Sequence, residues 1–255
     1  MQDQNKITSG ITLPCHWDEG IIRQIVEQNS SENNIPVKEV YGVLAGGGPV
    51  GHGRIPGSVV SVDEKNALDY GKVLSSLGVD FVYLLNAPFE FTDESQRDEL
   101  DRYLNWILGD LKPDALTITS HELMQYVRKR DPNIDIHIST IAGVKNADDL
   151  KKFLDVRPNR VVPHHDLGKH WGDLSQVIGV AKENGINVEM LSTESCLLGC
   201  PNRDAHYRNV GAKSPDSAFH TTCNAEKLMH PREFLLAGGI IRPEDVHLFE
   251  DLGAS

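Results

Sequence analysis

Residues 81–119 read FVYLLNAPFEFTDESQRDELDRYLNWILGDLKPDALTIT, and the order is strand, helix, strand. FVYLLN (81–86) is a short, near-continuous apolar run, the pattern of a strand covered on both faces in a parallel sheet. Asp93 stands as an N-cap before ESQRDELDRYLNWILGDL, a helical segment, and ALTIT (115–119) returns to strand. The same alternation continues on both sides. Strands are expected near 11–15 (ITLPC) and 37–43 (VKEVYGV) upstream, and near 135–141, 160–164 (RVVPH) and 187–192 (NVEMLS) downstream. Their starts lie about 29 residues apart, the length of one βα unit.

Helix signals fill the intervals. Asp63 caps a run closed by Gly78, Ser120 opens HELMQYVRKR, and Asn146 opens ADDLKKFLDV. Asp166 begins the segment leading into LSQVIGVAKENG, closed by Gly185. No composition break or linker interrupts the pattern. The expectation is one α/β domain over residues 1–255, a TIM (β/α)8-like barrel of parallel strands, whose usual length this is. The eighth unit is incomplete or atypical: either LLAGGII supplies a poor strand, or the chain ends before one and leaves sheet edges to be covered.

With 37 acidic against 25 basic residues, a net charge of −12 and a pI near 5.3, duplex nucleic acid is excluded as a main partner, because phosphate binding needs a basic face. No apolar run approaches the about eighteen residues of a membrane span, and MQDQNKITSG has no apolar signal core, so a cytoplasmic protein is expected. A reducing cytosol does not keep disulfides, which turns attention to the four cysteines.

Cys196, Cys200 and Cys223 crowd into a loop at 194–224 after the seventh strand, while Cys15 closes the first. Catalytic groups of such barrels gather at the C-terminal strand ends, and strands one and seven are two apart around the ring, so all four can share a site. The C-x₃-C pair and its third member leave three readings open. A 4Fe–4S cluster takes thiolates from separate segments. Zinc is the other metal, although its structural sites usually show two close pairs. Without a metal the cysteines are small hydrophobes, or one is a nucleophile with His206 or His220 as base.

Other residues sit where a barrel mouth would use them. GGGPVG (46–51) fits a dinucleotide fingerprint only formally, since no helix follows it. It reads better as a loop over the mouth, with Arg54 placed for a carboxylate or phosphate. His164 and His165 follow the sixth strand, suited to proton transfer, metal binding or plain backbone hydrogen bonds. Arg203 and His206 are neighbours on one helical turn of the cysteine loop. Asn86 and Tyr41 close the third and second strands. No G-x-S-x-G or H-E-x-x-H supports hydrolysis.

Five segments together resemble peptidase family U32 and its TIM-barrel relatives. EVYGVLAGGGPVGHGR (39–54) is similar to that group's YG and G-x-GR segment, and FVYLLNAP (81–88) to its third strand. EMLSTESCLLGCPNRDAHYRN (189–209) is similar to its seventh-strand segment with C-x₃-CP-x-R-x₂-H, and TTC (221–223) and IIRPEDV (240–246) continue the match. Although called peptidases, the family's better understood members include proteins of oxygen-independent ubiquinone hydroxylation and of transfer RNA or ribosomal RNA hydroxylation. The resemblance implies a 4Fe–4S cluster on Cys196, Cys200 and Cys223, with Cys15 as fourth ligand. It implies an iron–sulfur tailoring enzyme performing an oxygen-independent hydroxylation, or a related redox modification, of a small molecule or peptide. Arg54, Asn86, His165, Arg203 and His206 would position the substrate, and an electron donor would be a partner. The alternatives are a U32-type peptidase or amide hydrolase without a cluster, and an auxiliary barrel subunit acting in a homo- or hetero-oligomer. This chain departs from its relatives twice: many have Asn where Cys15 stands, and a further strand with a K-x-x-GR ending usually follows the IRPED segment.

Overall fold

The computed structural model describes residues 10–30, 35–45, 48–53, 59–90, 94–194, 196–211, 218–237 and 239–254. Seven strands form one sheet in sequence order: β1 (Ile11–Pro14), β2 (Val37–Gly42), β3 (Asp80–Leu85), β4 (Ala115–Ile118), β5 (Asp135–Ile138), β6 (Arg160–Val161) and β7 (Asn187–Val188). Every neighbouring pair is parallel. Ten α-helices accompany them: α1 (Glu19–Gln28), α2 (Glu64–Ser76), α3 (Glu94–Trp106), α4 (His121–Arg130), α5 (Ala147–Lys151), α6 (Trp171–Glu183), α7 (Arg203–Val210), α8 (Ala218–Met229), α9 (Pro231–Ala237) and α10 (Val246–Leu252), counted among the described residues. The result is a curled, TIM-like half-barrel.

The caps expected from sequence are present. Asp63 accepts from the Asn66 N–H at 2.7 Å, Ser120 from Leu123 at 3.4 Å, and Asn146 from Asp149 at 3.0 Å. Gly78 and Gly185 end their helices with positive φ. Asp93 lies outside the described residues. Asp166 does not open α6; residues His165–Lys169 make a 3-10 turn first, and the Asp166 carboxylate is used elsewhere.

The eighth unit resolves against a strand. PREFLLA, with proline at the first helical position, forms α9 rather than extended chain. Ile240 then makes one antiparallel bridge to Thr193, and the Ile241 N–H donates to the Ser192 carbonyl at 2.9 Å. Among the described residues the parallel sheet therefore stops at β7.

Strand alternation divides the side chains into two sets. Outward ones, including Tyr83, Leu85, Leu116, Ile118, Ile136 and Ile138, are fully buried against Leu74, Leu100, Leu104, Leu123 and Val127 of the helices. An aromatic group, Trp17, Tyr70, Phe81, Tyr83, Tyr103 and Trp106, fills the same layer beside α2 and α3.

The inner face is polar at one level. Arg160 of β6 reaches across to Glu39 of β2, with Nη2 donating to Oε1 at 2.6 Å, and its Nη1 also donates to Glu189 Oε2 at 2.9 Å. Thr12 of β1 donates to Glu39 at 3.5 Å, so the cluster joins both ends of the open sheet. Burial pushes the Glu189 carboxyl up from its ordinary range despite Arg160. His137, beside this group on β5, is held down to about 3 by burial and then by Arg160, which leaves it neutral.

Candidate functional site

Beyond β6 the chain leaves the ladder through Pro163, whose carbonyl accepts from the Thr140 hydroxyl at 2.7 Å, and delivers His164, His165 and Asp166. Beyond β7 it delivers Glu194 and the cysteine loop, which α7 follows. These three segments meet at the C-terminal side of the strands, where barrel enzymes keep their chemistry.

Arg203, the first residue of α7, is the centre of the arrangement and only 4% exposed. Its Nε donates to Cys196 Sγ at 3.2 Å. Nη1 donates to His164 Nε2 and to Asp166 Oδ2, each at 3.0 Å. Nη2 donates to Asp166 Oδ1 at 2.9 Å and to the Leu197 carbonyl. The fork on Asp166 is bidentate, which fixes the guanidinium plane. Asp166 Oδ1 also accepts from the Gly199 N–H at 3.2 Å, so one carboxylate anchors both α7 and the cysteine loop.

Protonation follows from this geometry. Burial works to raise Asp166, but Arg203 and the Gly199 N–H outweigh it and hold the carboxyl below its usual range. His164 is pushed down to about 4 by burial and then by Arg203, so it is neutral at pH 7. His164 Nε2 faces the Arg203 donor, while its Nδ1 accepts from the Asp166 N–H at 3.3 Å and lies 3.7 Å from Asp166 Oδ2. Burial moves the Cys196 thiol up, with Arg203 opposing only in part.

A second set stands beside the first. His165 Nδ1 lies 2.7 Å from Glu194 Oε2, an ion-pair distance with the carboxylate out of line with the ring N–H direction. His165 Nε2 meets the Tyr207 hydroxyl, and the two rings stack at 5.7 Å and 19°. Glu194 Oε1 accepts from the Cys196 N–H at 2.6 Å. Burial favours the protonated Glu194, but His165 and the Cys196 N–H reverse this and keep it below its ordinary range. Tyr207 is pushed up by burial, then by the nearby Glu194 and Cys196.

Asn86 holds a loop instead of facing this network. Its Oδ1 accepts from the Gly53 N–H at 3.0 Å, and its carbonyl accepts from Thr119 at 2.8 Å. Gly51, at φ +75, packs so closely on Gly211 at the end of α7 that a Cβ would lie 2.8 Å from the Gly211 carbonyl oxygen. The segment 48–53 is thus pinned between β3 and α7. Arg54 lies outside the described residues. His206 is on α7 with its ring parallel to Tyr207, at 6.1 Å.

The cysteines divide. None of the four is in a disulfide, and all are half-buried. Cys200 is close enough to Cys196 for a charge on one to disfavour a charge on the other. Cys223 lies on α8. At Cys15 the Trp17 N–H donates to Sγ at 3.3 Å, and the side chain packs on Gly42 and near Tyr70, in the layer between sheet and helices. Among the described residues, no three His, Cys, Asp or Glu side chains are grouped at metal-holding distance. The donors of the loop suit an iron–sulfur group in kind, since Cys196 already carries the sort of N–H contact that tunes a bound thiolate. A four-thiolate set is not gathered.

Of the residues expected from sequence, His165, Arg203 and Cys196 converge, with Cys200 adjoining. Asp166, Glu194 and Tyr207 were not expected. Asp166 carried a visible signal in the polar HHD triplet at a strand end, but a helix cap explained it equally well.

Residues 72–193 match the family model of peptidase family U32. The tRNA hydroxylation protein P of Helicobacter pylori strain ATCC 700392 / 26695 is 30% identical over 95 residues, 35% of this chain and 22% of that protein. Its counterpart in strain J99 / ATCC 700824 is 31% identical over 103 residues, 40% of this chain and 23% of that protein. The chain thus spans less than a quarter of the length of these curated relatives. Among solved structures, the U32 peptidase Mk0906 superposes with a TM-score of 0.61 over 85% of this chain and 78% of that one, at 12% identity, which speaks to the fold. Over residues 72–193, from the last turn of α2 to the bridge after β7, this chain is thus similar to peptidase family U32, and it shares the fold of a U32 peptidase.

Proposed function

We propose that the protein is an iron–sulfur-dependent tailoring enzyme of the U32 type, carrying out an oxygen-independent hydroxylation or related redox modification in the cytoplasm. One observation carries the reading: a buried arginine binds the Cys196 sulfur and ties it to Asp166 and His164 at the C-terminal side of the barrel. N–H contacts of that kind set the potential of a sulfur-bound metal group. The match to proteins named for tRNA hydroxylation points the same way.

Cys196, Cys200 and Cys223 would hold the cluster, with Cys15 as the fourth ligand. When bound, the group would pass electrons from a donor protein or small reductant. This chain's own residues then orient the substrate: Asn86 through the 48–53 loop, Arg54 next to that loop for an anionic group, and His165, Arg203 and His206 around the cysteine loop. The net charge of −12 favours a small molecule or peptide over tRNA as substrate. A thiol hydrolase is the weaker reading, because the Cys196 thiol is pushed up and a ready nucleophile needs the opposite.

The test is purification and reconstitution without oxygen, with iron and sulfide counted. About four irons per chain, lost in Cys196→Ala and Cys200→Ala, supports the proposal. Reconstituted protein that binds no iron overturns it.

A further inference from the structure

We propose that the inner face of the half-barrel is a second binding site, for a neutral molecule whose polar edge sets a hydrogen-bond acceptor beside a donor, as an amide or lactam does. Strand register builds it. Thr117 of β4 pairs with His137 of β5, and His137 pairs with Arg160 of β6, so the three side chains stand in one row on one face. That face is the inner one, because Arg160 crosses it to reach Glu39 of β2. A closed barrel fills such a level with branched apolar side chains. Here the level is polar, and much of its hydrogen-bonding capacity is unused.

His137 is 4% exposed, and neither ring nitrogen has a hydrogen-bond partner among the described residues. A buried imidazole in that condition costs free energy. The Thr117 hydroxyl also lacks a partner among the described residues. Thr117 is half-buried even though β4 is the middle strand of the seven, so the inner face is reached from outside. Arg160 gives both Nη1 hydrogens to Glu39 and Glu189 and one from Nη2 to Glu39. Its Nε–H and the second Nη2–H remain.

The charge balance selects the ligand class. One guanidinium is shared by two carboxylates, which leaves no positive charge for an anion. A cation in the row would lie against Arg160. Burial moves Glu189 toward its neutral form, in keeping with an uncharged occupant. An amide edge fits both sides: its carbonyl accepts from Arg160 or Thr117, and its N–H donates to the imidazole nitrogen that carries the lone pair. Arg160 lies four residues before His164, at most about 14 Å of extended chain. The site is thus separate from the cysteine loop, and it does not depend on iron.

The probe is 2-pyrrolidone, titrated into the full chain labelled with nitrogen-15 at histidine. The His137 ring signals, assigned by correlation spectroscopy, should shift saturably, with a dissociation constant on the order of 10 mM for so small a molecule. N-methyl-2-pyrrolidone, which lacks the N–H, should bind about fivefold more weakly, the scale of one lost hydrogen bond. His137→Val should abolish binding read by saturation transfer from the protein to the probe. Thr117→Val keeps the branched shape that suits a strand and should weaken 2-pyrrolidone about fivefold. Melting curves establish which variants are folded, and Thr117→Val carries the test if His137→Val is not. Acetate or methylammonium shifting His137 as strongly as 2-pyrrolidone overturns the neutral class. No saturable shift, or unchanged affinity in folded Thr117→Val, overturns the site.

Discussion

Arg203 holds the sulfur of Cys196 with Nε at 3.2 Å while both of its outer nitrogens are committed to Asp166. A single guanidinium thus places a thiol, an imidazole and a carboxylate with respect to one another. Arg203→Met leaves the half-buried Asp166 without its counter-charge, so a loss of about 1–3 kcal/mol is expected. Arg203→Lys keeps the charge but not the fork, and it should also lose the Cys196 contact. Urea denaturation of both variants, with the rate of Cys196 alkylation as a second readout, checks this.

Stability should fall on acidification from near pH 6.5. His164 is held at about 4 and His137 at about 3, both below the ordinary 6.5. The unfolded chain therefore binds more protons in this window, and stability is complete above 6.5 and drains as the pH falls toward 4 and then 3. Asp166, also depressed, extends the loss below its ordinary 3.8. Glu189, whose carboxyl is raised, works in the opposite sense. Melting temperatures measured from pH 8 to pH 4 decide the matter; His164→Asn should flatten the upper part of the curve.

The inner cluster makes a sharper contrast. Arg160→Met strands Glu39 and Glu189 in the interior, and about 3–5 kcal/mol should be lost. Replacing all three by apolar residues of similar volume should restore much of that stability. Denaturant midpoints of the single and triple variants give the comparison.

Two glycines should respond oppositely to alanine. Gly51 has a left-handed backbone and meets the Gly211 carbonyl, so Gly51→Ala should cost about 1–2 kcal/mol from the backbone alone. Gly179, inside α6 with open space around it, should gain about 0.5–1 kcal/mol as Gly179→Ala. Thermal unfolding of the pair tests the loop packing against an internal standard.

The strand order was legible because each apolar run carries its own β signal, and the N-terminal ends fall within a residue of expectation. The C-terminal ends were read too long: RVVPH promises five residues, but only Arg160 and Val161 pair. Residues there look like strand yet leave the ladder to build the site, and periodicity cannot separate the two. Cys15 shows the same limit. Strand order put it near the seventh loop, whereas alternation turns it outward, toward Tyr70 and Phe81. His165 and Arg203 stood out as polar groups at informative places. Glu194 and Tyr207 did not, because what selects them is reach across three loops.

The bridge from Thr193 to Ile240 has a consequence in time. Gly239 packs so tightly that a Cβ there would lie 2.9 Å from Glu194, which sets the far segment directly behind that carboxylate. A nascent chain can pair all seven strands well before the ribosome delivers residues 239–241. Until they arrive, Glu194 lacks the backing of Gly239.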